Sequence, residues 1–194
     1  MNTYGEAVVG YRFWNTHPDA DVLRSVFRVR SWETGVNTAE CLSNMSRCVA
    51  PAEGCQCGIN SFYLLPQESA DNLYKILPEY VQGLILGAGS VRLHEGGWRA
   101  EQAKIYALYC PDFLPDSNKK KIHAIAREYE VPVLSDYSEL ETAADSLGVV
   151  YRNKEAVQKA LEDQFADFFA PNKRFRIARI RFRKAIANLK PADH

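Results

Sequence analysis

The sequence predicts an α+β protein. Residues 1–112 form a small β-barrel or bent antiparallel sheet, and residues 117–194 form a helical region ending in a basic C-terminal helix. Three observations predict it. Short runs of β-branched and aromatic residues, separated by glycine-bearing turns, fill the first part of the chain. Beyond them the apolar spacing changes to three and four residues, the period of a helix. Between the two lies a stretch, 110–118, with two prolines and two aspartates, the composition of a surface connection. The chain has 194 residues, 46% of them apolar, and a formal net charge of zero, so a sizeable core is available and bulk disorder is excluded.

The elements follow in order. Residues 7–14 are rich in β-branched and aromatic side chains and read as a strand. Residues 22–32 alternate locally, with Arg28 and Arg30 flanking Val29. A turn at Thr34-Gly35 returns the chain as a partner strand over 36–42, and 59–65 is a further apolar run. Residues 69–77 have helical spacing through Leu73, Ile76 and Leu77, with Ser69 as N-cap and Pro78 as the stop. Strands over 81–86, 90–94 and 98–109, joined by Gly87-Ala88-Gly89 and Gly96-Gly97, predict two hairpins. Helical spacing returns over 118–129 through Ile122, Ile125 and Ala126. Residues 131–134 are extended, because the residue before a proline is pushed away from helix. Further helices are predicted over 138–147, capped by Gly148, and over 154–169, with Pro171 beyond.

Several function classes are excluded or disfavoured. The longest apolar stretch, around 81–86, is far short of the ~18 residues of a membrane span. No basic segment followed by an apolar one opens the sequence, so a secretory signal is not expected and a cytoplasmic location is. There is no phosphate-binding G-x-x-x-x-G-K-[ST], no G-x-S-x-G and no H-E-x-x-H. The glycines of 83–89 lack the order of a dinucleotide loop and read as a turn.

The cysteines carry the sharpest signal. Four of the five, Cys41, Cys48, Cys55 and Cys57, follow the spacing C-x6-C-x6-C-x-C. Tetrahedral zinc needs four soft ligands within ~2.3 Å of one point. Cys55-Gln56-Cys57-Gly58 can offer two thiolates from one turn. Disulfides are the first alternative, against which stand the odd count and the missing export signal. Unrelated buried thiols are the second, and they leave the clustering unexplained. Four thiolates fill a tetrahedron, so the expected centre is a structural zinc stapling the sheet. Cys110 ends an apolar strand pattern and reads as a core residue.

Segments GYRFW (10–14), WETG (32–35), AEC (39–41), CVAPAEGCQCGI (48–59) and GLILGAGSVRLHEGGWRAEQA (83–103) together resemble a family of small bacterial and phage proteins with no assigned activity. In that family a histidine often stands at the position of Cys48, an exchange a zinc ligand tolerates. The resemblance therefore implies Cys48 as a ligand. The family's usual tryptophan near 86–88 is absent here.

Other residues offer chemistry with a plain alternative beside it. His94 and Glu95, with Arg99 and Glu101, either set an imidazole beside carboxylates for acid–base work or are exposed hairpin charges. Trp14, Trp32 and Trp98, with Tyr11, Phe13 and Tyr106, either line a pocket or a stacking surface or form core. Lys119-Lys120-Lys121 opens a helix pattern, where the macrodipole disfavours cations. Residues 173–190 hold eight Lys or Arg and no acid, whereas residues 1–172 carry a formal charge of −7. On a helix, Phe175, Ala178, Phe182, Ala185, Ile186 and Leu189 share a face. Arg174, Arg176, Arg179, Arg181, Arg183 and Lys184 suit phosphate recognition, docking on Glu162, Asp163 and Asp167, or a membrane surface.

The expected function is therefore a non-enzymatic, zinc-containing binding or adaptor protein contacting nucleic acid or a phosphorylated ligand. The alternatives are a regulatory factor engaging a protein partner, and an enzyme with its site near His94 and Glu95.

Overall fold

The computed structural model describes residues 7–26, 30–41, 48–63, 65, 67–77, 79–94 and 96–147. They form an α+β fold: a seven-stranded, mostly antiparallel sheet with three helices. In chain order these are β1 (Val8–Thr16), β2 (Leu23–Ser25), β3 (Val36–Thr38), β4 (Ile59–Phe62), α1 (Gln67–Ile76), β5 (Tyr80–Leu93), β6 (Gly97–Tyr109), α2 (Asp116–Glu128), β7 (Val133–Leu134) and α3 (Tyr137–Ser146). The helices expected over 69–77, 118–129 and 138–147 are present with shifted ends. The helix expected over 154–169 lies outside the described residues.

The long β5–β6 hairpin is the spine, paired from Gln82↔Tyr109 to Leu93↔Trp98. Here the two expected hairpins become one. Gly87-Ala88-Gly89 is not a turn but part of a continuous strand, with a register shift between Ala88 and Val91. Gly89 takes φ +74°, and the Ser90 N–H donates to the Glu101 carboxylate at 3.1 Å. A bulge of this kind bends the strand instead of reversing it. Glycine runs permit either outcome, and the pairing of residues on both sides with β6 decides it.

One edge of β5 carries β1, from Val8↔Gly87 to Asn15↔Tyr80. The free edge of β6 takes β4 (Ile59↔Ala100), β3 (Thr38↔Gln102) and, in parallel, β7 (Leu108↔Val133). β4 also meets β1 through the single pair Tyr11↔Phe62. The sheet is thus strongly bent, with one residue pair linking its far edges, and β7 makes it mixed.

One core runs through the whole described chain and does not stop at residue 112. Ile122 and Ile125 of α2 and Tyr137 and Leu140 of α3 are buried with Trp14, Leu84, Trp98 and Leu108 of the sheet. Tyr137 lies 6.4 Å from Tyr11 and 5.4 Å from Tyr109, centroid to centroid. The Tyr129 hydroxyl donates to the Trp32 carbonyl at 2.6 Å and accepts from the Leu23 N–H at 3.1 Å. The division at 112/117 therefore falls between elements packed on one sheet, because apolar faces of α2 and α3 cover it.

Candidate metal centre

The cysteine loop is pinned at both stems to adjacent positions of β6. The Ala39 N–H donates to the Glu101 carbonyl at 2.7 Å, and Ile59 pairs with Ala100. Cys41 lies two residues past the first anchor and Cys57 two before the second, so the ladder brings the ends of the motif together. Within the loop, the Cys55 N–H turns back to the Ala52 carbonyl at 3.4 Å around Gly54, φ +70°. Gly58 takes φ +120°, and a Cβ there would lie 3.0 Å from Arg99 Cβ and 3.1 Å from Pro51 Cβ. Only glycine fits that crossing.

The four Sγ atoms of Cys41, Cys48, Cys55 and Cys57 all lie within 4.8 Å of one another. Cys41 and Cys55 are 3.7 Å apart, Cys48 and Cys57 3.3 Å. A tetrahedron with ~2.3 Å metal–sulfur bonds has edges of about 3.8 Å, so the spacing suits one ion held by four sulfurs. All five cysteines are free thiols in this structure. Cys57 is buried and accepts the Ala52 N–H at 3.4 Å, while the other three are half-buried. Hydrogen bonding from Cys41 and then Cys57 pushes the Cys48 thiol well above its usual range. Four sulfurs this close ionise together only around a cation.

Two arginines that the sequence reasoning did not assign to the centre hold the loop. Arg92 and Arg99 are cross-strand neighbours in the hairpin, an arrangement ordinarily repulsive. Here both turn to loop carbonyls. Arg92 Nε donates to the Pro51 carbonyl at 3.1 Å, and Arg99 Nη1 donates to the carbonyls of Cys55 and, at 3.2 Å, Cys57. A divalent ion with four thiolates would carry a net charge of −2, toward which Arg99 brings a cation, while Arg92 also pairs with Glu53 of the loop at 3.7 Å. The clue in the sequence is the R-L-H…W-R pairing across Gly96-Gly97, legible only once the register is known.

The other sequence-derived candidates separate. His94 accepts from Arg99 Nε at 2.8 Å, and desolvation, then Arg99 and Arg92, hold its pKa below the usual value. Among the described residues it therefore stands beside cations. Glu101 is occupied at the bulge, and Glu95 lies outside the described residues. Trp14, Trp32 and Trp98 are buried, at 0%, 5% and 1% exposure, so they build the core and not an exposed stacking surface, and Trp32 also lines a cavity. Their rings are better satisfied by packing: Trp14 meets Trp32 edge-on at 5.4 Å, and Trp98 Nε1 donates to the Val9 carbonyl at 2.9 Å. Cys110 is buried at the end of β6, where burial raises its thiol pKa. Lys121 pairs with Asp21 at 2.9 Å. Arg174, Arg176, Arg179, Arg181, Arg183 and Lys184 lie outside the described residues. Among those described, no helix is long and apolar enough to cross a membrane.

Comparison of the chain with protein-family models, with curated proteins and with solved structures finds no match.

Proposed function

We propose that Cys41, Cys48, Cys55 and Cys57 hold one zinc ion as a permanent structural centre, and that the chain is a non-enzymatic binding protein built around it. The observation that carries this reading is the set of four thiols within 4.8 Å of one another. Thiolates favour zinc among abundant divalent ions, and four of them leave no position for a substrate. Holding the loop on β6, the ion ties the 39–59 excursion to the hairpin. Elemental analysis of full-length protein prepared without chelator tests it. One zinc per chain is expected, and less than about a fifth of an equivalent refutes it.

The binding role rests on charge. Eight Lys or Arg without an acid over 173–190, attached to a body of formal charge −7, favour a polyanionic partner, nucleic acid or a phosphorylated ligand. Six phosphate contacts give a log–log salt slope of roughly −5 on duplex DNA. Replacing Arg174, Arg181 and Arg183 by Gln then removes part of that slope while zinc content stays constant. No binding to a generic oligonucleotide at about 50 mM salt removes nucleic acid and leaves a protein partner as the better reading.

A further inference from the structure

Beside the cysteine loop lies a cavity of about 120 Å³. One water needs roughly 10–15 Å³ on this measure, so the space holds a small molecule and not a single water. Arg12 of β1, Ser25 of β2, Trp32 and Asn60 of β4 line it, with Cys57 and Gly58 on the metal side. The Arg30–Glu40 ion pair, 3.1 Å apart and exposed, stands at its rim.

Arg12 gives the cavity its chemistry. Its guanidinium lies over the Trp32 ring, 4.9 Å from the centroid, and Nη1 donates to the Asn60 carbonyl. Nη2 reaches Ser25 Oγ only at 3.5 Å, and the buried Nε has no partner among the described residues. Burial lowers its pKa to about 10, which leaves it a cation at neutral pH. Among the described residues no carboxylate pairs with it, since Glu40, the one carboxylate in the lining, is taken by Arg30. A half-buried guanidinium without a counter-ion is costly unless an anion reaches it. Ser25 adds a second donor: its oxygen accepts from Trp32 Nε1 at 3.0 Å, which leaves its own proton to give.

We infer that this cavity binds a compact oxyanion, a phosphate- or carboxylate-bearing small molecule, through the Arg12 guanidinium and the Ser25 hydroxyl. A guanidinium fork matches two oxygens of either group. The Trp32 face holds the guanidinium plane in place and walls the site, so a compact ligand fits and a bulky polymer does not. The site depends neither on the identity of the metal nor on residues 173–190.

The test uses the full-length, metal-loaded protein with sodium phosphate, sodium acetate and sodium chloride at constant ionic strength. Calorimetry should find one saturable site for phosphate or acetate and none for chloride. At tenfold excess over Kd the melting temperature should rise by about 3–6 °C. Arg12→Gln should weaken binding about 10- to 100-fold and Ser25→Ala about two- to tenfold. The Gln triple variant at Arg174, Arg181 and Arg183 should leave it unchanged, which separates this site from the basic segment. If Arg12→Gln does not fold, Ser25→Ala decides, and unchanged affinity overturns the proposal. Failure of both anions to bind at about 10 mM also overturns it. If the wild-type protein binds neither anion and Arg12→Gln loses zinc affinity, Arg12 is a counter-charge of the metal centre instead.

Discussion

Arg99→Met isolates what the hairpin arginine does for the metal centre. Methionine keeps the aliphatic stem that packs against Gly58 and removes only the guanidinium. The carbonyls of Cys55 and Cys57 then lose their charged donor. A hydrogen bond to a charged group is worth about 1.5–3 kcal/mol when buried. These two are partly exposed, so about half of that applies, or about 2 kcal/mol for the pair. The loss falls on metal binding, because unpinned carbonyls let the Cys55–Cys57 turn sample geometries that the ion must then restrict. The expected result is a zinc affinity about 30-fold lower, inside the 10- to 100-fold range of residues that orient ligands. Competition against a chromophoric chelator at neutral pH measures it, with a melting curve to establish that the variant is folded. His94→Ala removes only an exposed acceptor of Arg99 and should change stability by less than about 0.5 kcal/mol. Zinc affinity within about twofold of wild type in a folded Arg99→Met protein would refute the reasoning.

The remaining predictions concern the ligand set, the sheet and the core. Cys48→His should keep its zinc and Cys48→Ala should lose most of it, since imidazole replaces a thiolate in a tetrahedral site and a methyl does not. Equal zinc content in the two variants would remove Cys48 from the ligand set. Gly97→Ala should cost about 3 kcal/mol or more, lowering the melting temperature by about 6–12 °C. Its Cβ would stand 1.9 Å from the Ser61 carbonyl oxygen, where rigid backbone faces it and not a movable side chain. A melting temperature within a degree or so of wild type would show that β4 and β6 can separate without cost. A chain ending at Asp116 should aggregate or melt without cooperativity, because it uncovers the Tyr11, Leu108 and Tyr109 surface that α2 and α3 bury. Cooperative melting of that fragment with its zinc retained would restore residues 1–112 as an independent unit.

The sequence by itself determined the local features. The strand cores over 8–14, 59–62 and 98–109, the helix periods over 118–129 and 138–147 and the extended segment before α3 depend on near neighbours, and they lie where side-chain preference placed them. Among the described residues, by contrast, the strand expected over 22–32 is found only over Leu23–Ser25, and residues 36–38 pair with β6 instead of returning on it. Four thiols in 17 residues are also a local fact, although it is the anchoring of residues 39 and 59 on β6 that brings the two ends of the motif together. Tertiary structure decided the rest. Whether Gly87-Ala88-Gly89 turned or bulged depended on β6 pairing across both sides of it. Whether 112–117 divided the protein depended on which face α2 and α3 found to bury. Arg92 and Arg99 became partners of the cysteine loop only through the sheet register, and Arg12, Ser25 and Trp32 met only because β1 pairs with β2 and residues 31–32 bridge back to β2. Periodicity reports how a residue relates to those a few positions away. A site assembled from positions 12, 25, 32 and 60 leaves no such trace, because the sheet and not the chain makes them neighbours.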